Sequence, residues 1–311
     1  MTNTGHIGID LGGTKIEGVL LGEDGAELSR IRQAAPRGDY MATVEALGDL
    51  VVALEGAAGR ALRNGSSVGI GMPGSVSPRT GLVQGANSTW LNGRPLGRDL
   101  EARLGRPVRL ANDANCFALS EAVDGAGQGA RSVFGVIIGT GCGGGLVYAG
   151  HLIDGPNAVG GEWGHNPLPW ARPDEFPGPL CWCGRHGCME TWVSGPGLAA
   201  DHLRATGRNF DAESIAALAA EGDAAALASL DRHADRLARG LAHVVNLFDP
   251  EVIVLGGGLS QMAHLYRDVP ARARPWIFAA DPHVDIRPPR WGDASGVRGA
   301  AWLWRASGDA Q

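Results

Sequence analysis

The 311-residue chain has no excess of positive charge: 27 Lys and Arg stand against 33 Asp and Glu, a formal net charge of −6. Duplex nucleic acid, whose binders cluster Lys and Arg to displace counterions, is disfavoured as a partner. A small anion held by backbone amides or through a metal ion is not excluded. The chain also lacks any run approaching the ~18 apolar residues of a membrane span, so no membrane partner is expected. Its first residues show neither the basic nor the apolar stretch of an export signal, and a cytoplasmic location is expected. Cysteine is scarce, five in all. Three of the five crowd into Cys181, Cys183 and Cys188, which in a reducing compartment points to metal before disulfide.

What is abundant is glycine, 49 residues, well above the roughly 7% of average usage. The glycines fall in short loops between apolar runs and read as tight turns. His6–Asp10 and Ile16–Leu21 are strand-like runs joined by Leu11-Gly12-Gly13-Thr14-Lys15, and a third strand follows near residues 27–33. Met41–Leu62 carries apolar residues at helical spacing. Val68–Met72 and Val108–Ala111 read as buried strands, the first stopped by Pro73-Gly74 and the second passing through Asn112-Asp113 into a helix at Ala114–Val123. The pattern then repeats: Val133–Ile138 and Gly145–Tyr148 flank a second glycine hairpin, Gly139–Gly144. A long helix is expected over Ala224–Asn246, with Leu227, Leu230, Ala234, Leu237, Leu241 and Val244 on one face. A strand, Glu251–Leu255, runs into Gly256-Gly257-Gly258, and a last helix falls near 295–305. The expected fold is α/β, two lobes with duplicated strand–Gly turn–strand units and a cleft between them. The expected division is 1–118 and 119–311, with the last helix packing back on the first lobe.

Three constellations carry chemistry. Cys181-x-Cys183-x4-Cys188 sets three thiolates in one tight loop, and His165 upstream can complete a Cys₃His tetrahedron of the structural zinc type; buried or paired cysteines are the plain alternative. The loop Gly8–Lys15 is not a Walker A loop, because the Lys and Thr are reversed and a strand follows. Gly139–Gly144 matches G-x-G-x-x-G but also leads into a strand, which removes the dinucleotide-fold reading. Each loop alone is equally a simple turn; placed correspondingly in two halves they suggest amides closing on a phosphate chain. Asp113 stands where a buried strand hands over to a helix, either as a carboxylate facing a cleft or only as a helix cap.

In their order, Asp10-Leu-Gly-Gly-Thr-Lys15, Leu110-Ala-Asn-Asp-Ala-Asn115, Gly139-Thr-Gly-Cys-Gly-Gly-Gly145, Gly161-Glu-Trp-Gly-His165, Cys181-x-Cys183-Gly-x-x-Gly-Cys188-x-Glu190 and Gly256-Gly-Gly258 resemble the ROK family of sugar kinases and regulators. That family belongs to the actin-like ATPase, ribonuclease H-like superfamily. Within it, Gly74–Pro78 and Ala86–Gly93 look most like bacterial fructokinases with mannokinase activity, with N-acetylglucosamine kinases and glucokinases as the alternative.

The resemblance implies an ATP-dependent kinase of a free hexose, D-fructose before mannose or glucose, with Asp113 as general base. Asn112, Glu162, His165 and Glu190 would hold the sugar, with Gly74, Ser75 and Asn87 lining the pocket. Asp10 would sit near Mg²⁺; Gly12, Gly13, Thr14, Lys15, Gly139, Thr140 and Gly141 near the phosphates; Gly256, Gly257 and Gly258 near adenosine. His165, Cys181, Cys183 and Cys188 would hold structural Zn²⁺, and the chain would form a homodimer. A sugar-sensing repressor is disfavoured, since no room precedes Asp10 for a helix-turn-helix; a catalytically dead sugar-binding module is the other rival.

Overall fold

The computed structural model describes residues 5–59 and 66–305. Gly5–Leu11 (β1), Lys15–Leu21 (β2) and Glu27–Ala34 (β3) form an antiparallel meander, followed by helix Tyr40–Ala58 (α1). Asp39 caps α1 by accepting the Ala42 N–H. The helix buries Val44, Leu47, Val51 and Leu54 at the spacing the sequence shows; Leu62, in the expected extension, lies outside the described residues. Ser66–Met72 (β4), the short pair Ser75–Val76 (β5) and Val83–Gln84 (β6), helix Leu96–Leu104 (α2) and Val108–Asn112 (β7) complete the first half. Its sheet runs β3-β2-β1-β4-β7, with β1, β4 and β7 parallel.

Helix Asp113–Val123 (α3) leads into the second half: Ser132–Ile138 (β8), Cys142–Tyr148 (β9) and His151–Leu152 (β10). Helices Glu190–Val193 (α4), Gly195–Thr206 (α5), Ala212–Ala220 (α6) and Ala224–Phe248 (α7) follow, then Val252–Gly256 (β11), Ala263–Ala273 (α8), Ile286–Arg287 (β12) and Ser295–Trp302 (α9). The second sheet runs β10-β9-β8-β11-β12 and repeats the first in kind: an antiparallel hairpin with parallel strands added beside its first member. Two α/β lobes with duplicated hairpin units are therefore what the chain forms.

Three differences from the expected elements have simple causes. The second glycine turn is shorter than Gly139–Gly144, because Cys142–Gly144 pair with Val136–Ile138 as strand, leaving Gly139–Gly141 as the turn. The strand β7 is half-buried along its length and not buried, since it is the last strand of its sheet. Along α7, Leu227 is 49% exposed, and the buried stripe runs through Ala226, Ala234, Leu237, Leu241 and Val244. Asp223 caps that helix, and a cap fixes the frame of the first turn whatever its apolar pattern.

The loop of five prolines, 167–179, is pinned to α7 by buried charge. Arg239, fully buried, donates to Glu175 at 2.7 and 2.8 Å, and Arg236 bridges Glu175 and Asp201. Burial by itself would raise the Glu175 carboxyl, but its bonds from Arg239, the Arg172 N–H and Arg236 hold it down, at about 2. This network seats the chain entering the cysteine loop. The last helix crosses back over the first sheet: α9 packs with Val19, Leu21, Cys116 and Leu119.

Candidate active site

Because β1, β4 and β7 are parallel and in register, with Asp10 beside Gly71 and Met72 beside Asn112, their carboxyl ends open on one edge. That edge is where ligands bind in α/β sheets. It presents Asp10, Pro73-Gly74 and Asn112-Asp113. Gly74 adopts φ +74°, and a Cβ there would strike the Gln84 carbonyl and the Ala86 amide, so only glycine lets the chain turn so tightly past residues 84–86.

Asn112 is the helix cap. Its Oδ1 accepts the Ala114 N–H at 2.9 Å, while its side-chain amide donates to the Gly74 carbonyl at 3.1 Å, clipping β7 to the pocket loop. Asp113 is the first residue of α3 and also accepts the Ala114 N–H, at 2.8 Å. The residue is exposed on its cavity side, yet protein crowds around it on the others. That crowding strips water from the Asp113 carboxyl and pushes its pKa up, and nearby Glu162 adds to this against the pull of the amide. Desolvation likewise raises half-buried Asp10, to about 6, with Asp113 and Glu17 contributing.

A cavity of about 1000 Å³ opens here. It is lined by Gly74, Ser75, Asn87, Asn112 and Asp113 from the first half, and by Gly139, Thr140, Gly141, Glu162, His165, Cys183 and Glu190 from the second. Every residue expected to hold the sugar thus lines one space, with one of the two glycine turns at its rim. Asp10, Gly12, Gly13, Thr14, Lys15 and Gly256–Gly258 are not in its lining. Gly12 instead closes the first turn by donating to the Lys15 carbonyl at 3.0 Å. Gly258 stands against the other turn, its N 3.8 Å from where a Gly139 Cβ would be.

Beneath the cavity, one ligand atom from each of His165, Cys181, Cys183 and Cys188 lies within 4.8 Å of the others. Cys181 Sγ is 3.6 Å from His165 Nδ1, and Cys183 Sγ is 3.6 Å from Cys188 Sγ. These separations fit a tetrahedron with Zn–S bonds of about 2.3 Å, whose edges are roughly 3.8 Å. The chain therefore carries a four-residue His/Cys group fit to hold a metal ion. Cys116 and Cys142 stand apart as packing residues; burial pushes both thiols well up, away from nucleophile behaviour.

Sequence reasoning passed over part of the lining. Phe134, Leu146, Trp163, Met189 and Val244 border the cavity, all but Leu146 as buried core residues, and His243 and Trp182 also line it. They reach the cavity from β8, β9, the turn after β10, the cysteine loop and α7, so no one local pattern marks them as neighbours. The tryptophans divide: Trp163, Trp192 and Trp302 are buried, while Trp182 is 73% exposed.

A sequence model of the ROK family matches residues 6–307. An N-acetyl-D-glucosamine kinase of Photobacterium profundum is 41% identical over 302 residues, covering 96% of this chain and 98% of that protein. Among solved structures, a ROK hexokinase from Thermus thermophilus matches with TM-score 0.85 and 33% identity, covering 96% of this chain and 97% of that one. A ROK family glucokinase from Streptomyces griseus, in complex with glucose and AMPPNP, matches with TM-score 0.74 and 32% identity over 96% and 98%. The two-lobed actin-like ATPase fold is thus shared.

The expected likeness to fructokinases with mannokinase activity, and with it D-fructose as first acceptor, is corrected by these findings. Relatives at about 40% identity across the chain are N-acetyl-D-glucosamine kinases. Some of the residues that suggested fructose serve the loop itself, since Asn92 accepts the Ala86 N–H and donates to the Ala86 carbonyl and Gly74 makes the tight turn, while Ser75 and Asn87 line the cavity. Such residues report how the pocket wall is built, not which hexose it holds.

Proposed function

The chain belongs to the ROK family and is an ATP-dependent sugar kinase, and on that premise we propose that it phosphorylates N-acetylglucosamine on its primary hydroxyl, giving the 6-phosphate and ADP. The observation that carries this reading is a shared cavity in which the Asp113 carboxylate stands with Glu162, His165 and Glu190 beside the Gly139–Gly141 turn. In such a reaction Asp113 accepts the proton of the attacking hydroxyl, Asn112, Glu162, His165 and Glu190 hold the ring hydroxyls, and Gly74, Ser75 and Asn87 close the pocket wall. The two glycine turns offer amides to the phosphates, with Thr14, Lys15 and Thr140 beside them and Gly256–Gly258 toward the adenosine. Transfer of this kind is mainly positioning and charge stabilisation.

Mg²⁺, where bound, would neutralise charge on the phosphates, and the Asp10 carboxylate near the end of β1 would stand near it. The His/Cys group suits Zn²⁺ in a structural role, fixing His165 from its Nδ1 side. N-acetylglucosamine as the acceptor is supported by the relatives at about 40% identity across the chain. A homodimer, implied by the family resemblance, stays part of this proposal.

A coupled kinase assay over N-acetylglucosamine, glucose, mannose and fructose tests the substrate. N-acetylglucosamine is expected to give the highest kcat/KM, by about tenfold or more, the scale of one well-used polar contact. A higher kcat/KM for glucose, the sugar in the Streptomyces griseus complex, would replace this reading with a glucokinase.

A further inference from the structure

Trp182 lies between two cysteines of the His/Cys group and leaves most of its ring in the cavity mouth, 73% exposed. Its polar atom, by contrast, is committed. The indole Nε1–H donates to Glu190 Oε1 at 2.7 Å, and the ring meets His165 edge-on, with centroids 4.9 Å apart and an interplanar angle of 85°. The other Glu190 oxygen, Oε2, accepts the Cys142 backbone N–H at 2.9 Å, where the Gly139–Gly141 turn enters β9. One carboxylate is therefore shared between the cysteine loop and the glycine turn, and the indole is the loop's end of the link.

We propose that Trp182 is a positioning residue for the acceptor sugar: its indole N–H holds the Glu190 carboxylate in the orientation that receives the sugar hydroxyls. This rests on the reading above, in which Glu190 faces the sugar. A glutamate side chain free to rotate must give up that freedom when ligand binds. Two fixed donors, one on each oxygen, remove the cost beforehand. A carboxylate offers about four acceptor sites, so two donors leave about two for hydroxyls. The same bond passes the shape of the His/Cys loop to the sugar pocket through a residue that ligates no metal.

Trp182→Phe keeps an aromatic ring against His165 and deletes only the donor; Trp182→Ala removes both. Each is expected to raise KM for the wild-type enzyme's best hexose by about tenfold, the scale of the side-chain freedom that Glu190 must then give up on binding. The kcat is expected to stay near wild type, the pattern of binding lost equally from ground and transition states. KM for ATP, metal content and melting temperature are expected to be unchanged. A wild-type KM in Trp182→Phe with a raised one in Trp182→Ala would overturn the proposal in favour of the ring as a stacking surface. Wild-type KM in both variants would show no role for the residue. A KM change that comes with lost metal or a lowered melting temperature would make the residue structural only. Because the variants are measured with whichever hexose the wild type prefers, a different preferred sugar overturns the substrate reading and leaves this test standing. A wild type that phosphorylates none of the four sugars overturns both before any variant is compared.

Discussion

Asp113 concentrates two demands at one residue. As the proposed base it must be ionised to accept a proton from a sugar hydroxyl, yet desolvation pushes the pKa of this carboxyl up, with Glu162 adding to the effect. Activity that depends on the ionised form therefore falls as pH drops through the raised value, higher than a fully solvated aspartate would allow. The same shift has the opposite sign for stability: a raised carboxyl favours the fold in acid and loses that contribution as pH rises through the folded pKa. Asp113→Asn is accordingly expected to cut kcat by about 10²–10⁴-fold. Its melting temperature at neutral pH should be equal to or above wild type, since Asn112 already serves as the helix cap. Steady-state kinetics and thermal melts on this one variant decide the matter. Near-full activity would remove Asp113 from the chemistry and leave it a mere helix-start residue.

At the scale of elements, the cysteine loop is the part whose order has the most distant consequence. It holds three of the four His/Cys ligands, draws His165 in from the turn after β10, and begins where the 167–179 segment is fastened to α7 through Glu175 and Arg239. Cys183→Ser removes a ligand without adding bulk. Protein purified without chelator is expected to fall from about one metal ion per chain, as one tetrahedral site requires, to well below that. Sugar KM should rise at the same time, because His165 is no longer fixed on its Nδ1 side. Elemental analysis alongside the kinase assay checks both outcomes. Full activity in metal-free wild-type protein would show that the His/Cys group does not need an ion to shape the site.

Across the whole molecule, the two halves are joined by close approach at α3 and α9. Cβ atoms on Gly8 and Gly69 would overlap the carbonyl oxygens of Val297 and Ala300, and one on Gly299 would overlap that of Cys116. The last helix thus presses on the first sheet with one face and on α3 with another, and it has no direction in which to retreat. Gly299→Ala is expected to destabilise by about 3 kcal/mol or more, at the upper end of overpacking costs. Gly296→Ala on the same helix, whose Cβ would come no nearer than 4.0 Å to Asp10 Cγ, is expected to leave stability unchanged. Denaturant midpoints of the pair test the contact, and equal midpoints would show that the helix yields.

Much of this architecture is legible in the chain alone, where the signals are local. Strand runs, glycine turns, the helix expected over Met41–Leu62 and found as Tyr40–Ala58, and the Cys181–Cys188 spacing all follow from neighbours within a few residues. The step from Val108–Asn112 into α3 places Asp113 at a strand end from pattern alone. Glu162 and Glu190 carry no such local mark; only family resemblance points to them, and their meeting with Asp113 needs the two halves folded together. The donors on Glu190 are not legible at all, because the cysteine loop must fold Trp182 onto it and the Cys142 N–H comes from the glycine turn, distant in the chain. Which hexose is taken is misread from the sequence for a related reason: several of the residues that suggest fructose, Asn92 and Gly74 among them, shape the pocket loop. Local sequence thus determined the elements and the cysteine spacing, through turn geometry and periodicity, and left Asp113 as either base or helix cap until the family resemblance favoured the base. Only the tertiary structure decided which side chains share the cavity, because contacts between α7, β8, β9 and the cysteine loop join residues far apart in the chain.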